Sequence, residues 1–232
     1  MLVISTSMAF AQVWEPTDLW LPESVLEIPT ASWFGTTGMT VIPTAHVLDH
    51  TDVSVHGHYI DFSGTDDWEG VFGANVCIYP GLEVGATVWE SGLTGTGSDE
   101  TTLDIKYSLD TPNLLDLGPD APLIAIGARD ISNEVNRGYY IVLSQDFTMD
   151  VERGQTVSAT LGFGDSDISG SALDGFFAGI DFSPFDFARI QVEHDSDNLN
   201  AQLRYWWSEW AVTEVGFLDG DFGAGVSIYT GF

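Results

Sequence analysis

Thr101-Thr102-Leu103-Asp104-Ile105-Lys106-Tyr107-Ser108-Leu109 alternates without a break. Successive side chains of a strand point to opposite faces, so Leu103, Ile105, Tyr107 and Leu109 share one face and Thr102, Asp104, Lys106 and Ser108 the other. A helix would need apolar recurrence at three as well as four residues, and the stretch has none at three. The same alternation sets Ala188, Ile190 and Val192 against Arg189, Gln191 and Glu193. It returns where Leu199, Ala201, Leu203 and Tyr205 oppose Asn200, Gln202 and Arg204.

Working outward from this stretch, segments of about ten residues separated by turn residues continue from Thr51 to the end of the sequence, the signature of transmembrane barrel strands. Strands are expected at 53–62, 68–79, 82–91, 100–109, 121–131, 137–147, 156–164, 174–183, 187–195, 199–207, 210–217 and 221–232. Val41 lies in an entry segment rather than a strand of its own. Twelve is an even number, as closure of a single-chain bacterial barrel with both ends of the chain in the periplasm requires. The fold class is therefore all-β: a transmembrane, antiparallel, up-and-down β-barrel of about 12 strands with an irregular N-terminal segment. The competing architecture is a soluble, secreted β-sandwich binding carbohydrate, which also alternates but keeps its polar face in water. Trp68, Trp89, Tyr139, Tyr140, Trp206, Trp207 and Trp210, near segment ends, suit interfacial girdles. Phe222, Ala224, Val226, Ile228 and the final Phe232 share one face, and Phe232 is the expected assembly signal.

Three regions follow. Residues 1–11 read as the remnant of a signal peptide, with Ala9-Phe10-Ala11 as the cleavage pattern and no charged n-region. Residues 12–51 read as an irregular periplasmic N-terminal segment, broken by Pro16, Pro22, Pro29 and Gly35 and carrying an echo of Ile28-Pro29-Thr30-Ala31 in Ile42-Pro43-Thr44-Ala45. Residues 52–232 are the barrel. Its expected outward connections are short, which leaves no long loop to serve as a plug or lid. The inward ones include tight turns at Pro80-Gly81 and Ser208-Glu209.

Composition narrows function. The 232 residues carry 35 Asp and Glu against 6 Lys and Arg, a formal charge of −29, with a mean hydropathy of +0.09. So few cations cannot neutralise a phosphate backbone, which excludes nonspecific nucleic-acid binding. With 8 Trp, 7 Tyr and 14 Phe the chain is not a disordered acidic tail. No Gly-x-Ser-x-Gly, phosphate loop, dinucleotide fingerprint or His-Glu-x-x-His occurs, and no cofactor is implied. Ser144 and His194 could be nominated as a hydrolytic pair, but nothing ties them together. Asp66, Asp67, Asp99, Glu134, Asp165, Asp167, Asp195, Asp197 and Asp219 fall at or near the outer rim, where they would repel an anionic polymer and attract cations.

Two sets of residues are candidates for a site. Asp104, Lys106, Arg189, Glu193, Arg204 and Glu214 face inward and either pair as a salt-bridge network filling the barrel or line it as a selectivity surface. His46, His50, His56 and His58 include two imidazoles on one strand face, an arrangement able to supply two metal ligands, against the plainer role of polar lumen and loop residues.

Gly35-Thr36-Thr37-Gly38-Met39-Thr40-Val41-Ile42-Pro43-Thr44-Ala45 resembles the opening of the YjbH family of exopolysaccharide-associated outer-membrane proteins. The resemblance continues in order through Pro80-Gly81-Leu82-Glu83-Val84-Gly85, Asp104-Ile105-Lys106-Tyr107, 124–130, Leu161-Gly162-Phe163-Gly164, 176–181 and Val192-Glu193-His194-Asp195. It implies a barrel in the bacterial outer membrane tied to polysaccharide production or export, with outer-membrane lipid, the barrel-assembly machinery and polysaccharide-export components as partners. The chain departs from the family in length, the larger members being several times longer, and in His46 and His50. The expected function is a non-enzymatic outer-membrane barrel, a small pore or export accessory. The alternative is a structural or adhesive barrel whose acidic loops bind divalent cations.

Overall fold

The computed structural model describes residues 29–61, 68–90, 98–109, 111, 121–150, 155–168 and 172–230. The twelve strands are β1 (Val53–Asp61), β2 (Trp68–Tyr79), β3 (Leu82–Trp89), β4 (Glu100–Leu109), β5 (Leu123–Arg129), β6 (Gly138–Asp150), β7 (Gln155–Ser166), β8 (Gly175–Phe185), β9 (Ala188–His194), β10 (Leu199–Ser208), β11 (Ala211–Leu218) and β12 (Asp221–Thr230). Each pairs antiparallel with its neighbours in sequence, and β1 pairs with β12 from Val53↔Thr230 to Asp61↔Phe222, which closes the barrel. The signal-peptide remnant and Phe232 lie outside the described residues.

The faces of β4 separate a membrane barrel from a sandwich. Its apolar residues are the exposed ones, Leu103 at 45%, Ile105 at 36% and Tyr107 at 38%, while Asp104 is 3% exposed and Lys106 is fully buried. This inversion runs round the barrel: Val55, Phe72, Val88, Ile126, Ile141, Leu161, Ile180, Ile190, Leu203, Val215 and Val226 are all exposed. A soluble protein cannot leave an apolar band of that extent in water, whereas hydrocarbon is its natural solvent. Tyr139, Trp207 and Trp210 are on the outside, as a girdle requires. Tyr140 and Trp206 are not, since period two sends adjacent aromatics to opposite faces, and both are buried in the lumen.

The two mouths differ. The proximal mouth, where β1 begins, carries the turns at Pro80-Gly81, 186–187 and 209–210. Four register shifts, at Cys77/Tyr79, Thr148/Asp150, Phe182/Phe185 and Trp206/Ser208, all fall at this rim, where bulges bend strands into a turn. Gly81, at φ +83°, supplies the left-handed residue after Pro80. At the distal mouth Asp219 and Gly220 take φ of +52° and +87°, the two-residue turn whose twist matches a hairpin.

Residues 30–48 of the irregular segment expected in the periplasm are inside the barrel, so the plug comes from this segment and not from a loop. Ala31, Trp33, Thr37, Thr40, Val41, Ile42 and Ala45 are fully buried. Bridges at Ala31↔Thr37 and Gly38↔Pro43 fold the segment back on itself. Its tip packs at the distal mouth, with Trp33 and Val41 against Ile60 and Leu218, and Phe34 stacked on Trp89 at 4.8 Å. Met39, Ile42 and Ala45 pack on Ala125, Tyr140, Val142 and Phe177. Leu48 leads out over Cys77, Trp206, Val212 and Tyr229 at the proximal mouth. The wall has room for this because small residues face the plug: a Cβ on Gly223 would sit 2.3 Å from Trp33 Cζ3, and one on Gly179 would sit 2.3 Å from Met39 Sδ.

Candidate functional site

An irregular segment buried at membrane depth carries N–H and C=O groups that neither a helix nor a sheet ladder satisfies, and each would cost a few kcal/mol if left unpaired. The lumen side chains supply the missing partners. Because charges on alternate strand positions all point inward, the period that makes the outer face apolar also gathers these groups around the plug.

On the wall formed by β3, β4 and β5, Glu83 accepts the Thr37 amide at 2.7 Å and the Leu48 amide at 3.1 Å, so one carboxylate holds the plug at two places. The Thr37 hydroxyl lies 2.8 Å from Glu83 Oε2 and also receives a hydrogen bond from Lys106 Nζ, which donates to the Thr37 carbonyl at 2.6 Å as well. Arg129 donates to the Val41 carbonyl at 2.6 Å. Asp104 accepts the Asp130 amide at 2.7 Å and lies against Gly35, where a Cβ would come within 2.7 Å of Oδ2. On neighbouring β2, Asn75 donates to the Gly35 carbonyl at 3.0 Å.

On the wall formed by β9, β10 and β11, Arg204 donates to the carbonyls of Ala31 at 2.8 Å and of Gly38 and Met39 at 3.1 Å, and to the Thr30 hydroxyl. Glu193 accepts the amides of Val41 at 2.7 Å and Thr40 at 3.0 Å, and is itself held by Asn200 at 3.2 Å. Glu214 lies 3.4 Å from Arg204 and 3.2 Å from His58 Nε2, accepts a hydrogen bond from Ser227 at 2.9 Å, and takes the Trp33 indole N–H at 3.0 Å, shared with Gln202 at 2.9 Å. Nearer the proximal mouth, Arg189 lies 3.3 Å from Asp181 and stacks over Trp206 at 5.1 Å.

All six inward-facing candidates thus face the lumen, but only some pair with one another. Arg204 pairs with Glu214, whereas Lys106 and Glu193 hold plug backbone. Glu83, Arg129 and Asp181 belong to the same lining and were not among the candidates. The alternation of Leu82, Glu83, Val84 and Gly85 carried the signal for Glu83, and Arg129 was masked by the small residues Ala125 and Gly127 on its face. Lys106, Arg129, Arg189 and Arg204 are four of the chain's 6 basic residues. An acidic chain has therefore placed three of these cations, Lys106, Arg129 and Arg204, where plug carbonyl oxygens need donors.

The four histidines do not converge. His56 and His58 are buried on β1 with ring centroids 5.6 Å apart, and His58 stacks on Trp33 at 5.0 Å. His46 instead lies 3.3 Å from Asp146, and His50 is exposed in the turn before β1. Among the described residues no group of three or more His, Cys, Asp or Glu is placed to hold a metal ion. Ser144 and His194 are on opposite faces: Ser144 accepts the Ala45 amide at 2.9 Å inside the lumen, and His194 is exposed outside.

No family model matches the chain, and no curated protein matches it. Two solved structures, a KdgM porin and a KdgM porin in complex with disordered oligogalacturonate, each align with a TM-score of 0.47 at 13% identity over 78% of this chain and 99% of theirs.

Proposed function

We propose that the protein is a non-enzymatic outer-membrane pore held closed by its own residues 30–48, with its proximal mouth toward the periplasm. The observation that carries this reading is the plug itself, held from opposite walls by Glu83, Lys106 and Arg129 on one side and Glu193 and Arg204 on the other. A barrel that needed only a solid core could fill it with wall side chains. This one instead surrounds a chain segment with charges whose partners are mostly its backbone, and those charges would line an aqueous path once the segment left. The ordered motifs from Gly35 to Asp195 support a place in envelope polysaccharide production or export, with polysaccharide-export components as partners.

Recordings in planar lipid bilayers test the closed-pore reading. The full chain should be silent, and a variant lacking residues 30–48 should conduct steadily while keeping the heat-modifiable gel migration of a folded barrel. Silence from that folded variant, or equal conductance from both proteins, would reject it. Loss of extracellular polysaccharide in a strain lacking the protein checks the export role, and unchanged polymer would remove it.

A further inference from the structure

The plug does not thread the barrel. Its two outer limbs lie at the same mouth, while Trp33, Phe34 and Val41 reach the other. Pro29 and Thr30 on the first limb line one polar cavity of about 20 Å³ together with Thr44 and His46 on the second, and with Asp146, Asp181 and Arg189 of the wall. The Ala31 amide reaches the Tyr229 hydroxyl at 3.2 Å, and Tyr229 is hydrogen-bonded through its backbone to Trp210 in a proximal turn. Leu48 sits on the same Tyr229 cluster, and the chain then crosses to β1 through Thr51, whose amide bonds the Cys77 carbonyl at 3.0 Å. Of the echoed tetrapeptides, Pro29-Thr30-Ala31 and Ile42-Pro43-Thr44-Ala45 lie on the two limbs of this loop. Their matching threonines, Thr30 and Thr44, both line the cavity.

From this geometry we infer that residues 29–52 form a gate that withdraws as one unit through the proximal mouth, with its Pro29 end as the handle. The inference rests on the closed-pore reading and adds the direction and handle of opening. A loop with both limbs at one mouth leaves without passing any residue through the wall or past the distal connections. Its wall contacts are largely hydrogen bonds from side chains to backbone, which water replaces one for one as the loop slides out. The strands stay paired to each other throughout, and the only wall backbone bonds that must break among the described ones are those of Thr51 and Asp52 to Cys77, at the proximal end of β2.

Single-molecule pulling on membrane-embedded protein, tethered through Pro29→Cys in a Cys77→Ser background, tests it while current is recorded. The expected first event releases residues 29–52, a contour length of about 80 Å at ~3.3–3.6 Å per residue, and leaves the strand events intact. Glu193→Gln should release the loop roughly tenfold faster at a fixed load, as expected for loss of charge-assisted hydrogen bonds, without altering the later events. A first event of about 175 Å, in which β1 and β2 leave with the loop, would overturn the inference. So would a Glu193→Gln variant that weakens the strand events instead. A clean 80 Å release with no step in current would sink the closed-pore reading and leave withdrawal standing.

Discussion

The two walls that grip the plug solve one problem in different ways. On the β3–β5 side, Glu83 and Lys106 meet on Thr37, taking its amide, hydroxyl and carbonyl, while Glu83 also takes the Leu48 amide and Arg129 the Val41 carbonyl. On the β9–β11 side, Arg204 and Glu193 spread over Thr30, Ala31, Gly38, Met39, Thr40 and Val41. The second wall also ties its cation to a wall carboxylate, Glu214, which holds the tip through Trp33. The first wall is chiefly a point clamp on Thr37, with Leu48 and Val41 held singly, and the second is a distributed one. A distributed clamp should fail globally when its centre is removed, because one guanidinium satisfies groups on both limbs and neutralises a buried carboxylate.

The largest expected effect follows from that difference. Arg204→Met leaves three plug carbonyls without a donor and Glu214 without its guanidinium, so barrel stability should fall by about 3–5 kcal/mol in urea titrations of the lipid-embedded protein. Lys106→Met removes one cation from the point clamp and should cost about 1–3 kcal/mol in the same titration. Equal losses for the two variants would erase the distinction between the walls. Thr37→Val keeps the amide and carbonyl but deletes the shared hydroxyl. It should cost about 1 kcal/mol, and a loss matching Lys106→Met would mean that the clamp acts through the hydroxyl alone. At the small end, Ile105→Val, one position from Lys106 but on the lipid face, should change stability by less than about 0.5 kcal/mol. A larger change would show that the outer face of β4 packs against something more selective than hydrocarbon.

The same contrast shows which parts of the molecule could be seen in its sequence. The wall was legible because period two is repeated twelve times and nearly every turn is marked by Gly, Pro, Asn or Asp, Glu209-Trp210 being an exception, so all twelve strands fall within a few residues of their expected bounds. The inward direction of Asp104, Lys106, Arg189, Glu193, Arg204 and Glu214 came from the same period. The plug was not legible, because an irregular segment has no periodicity to report and its burial depends on side chains 35 to 198 residues away along the chain. What the sequence did show was its shadow: cations placed inward in an acidic chain, wall glycines opposite bulky plug residues, and a repeated Pro-Thr-Ala with no repeat around it. Pairing the lumen charges with each other was the natural expectation for a barrel with nothing inside. It failed where backbone groups entered as competitors for the same hydrogen bonds.

Backbone amide exchange of the folded, membrane-embedded protein tests most directly whether residues 30–48 occupy the lumen and are held there through their backbone. The amides of Thr37, Thr40, Val41, Ala45 and Leu48 should exchange as slowly as the strand amides of β4 and β10 that surround them. Exchange of those five amides at the rate of a solvated loop, with the strands still protected, would contradict the account.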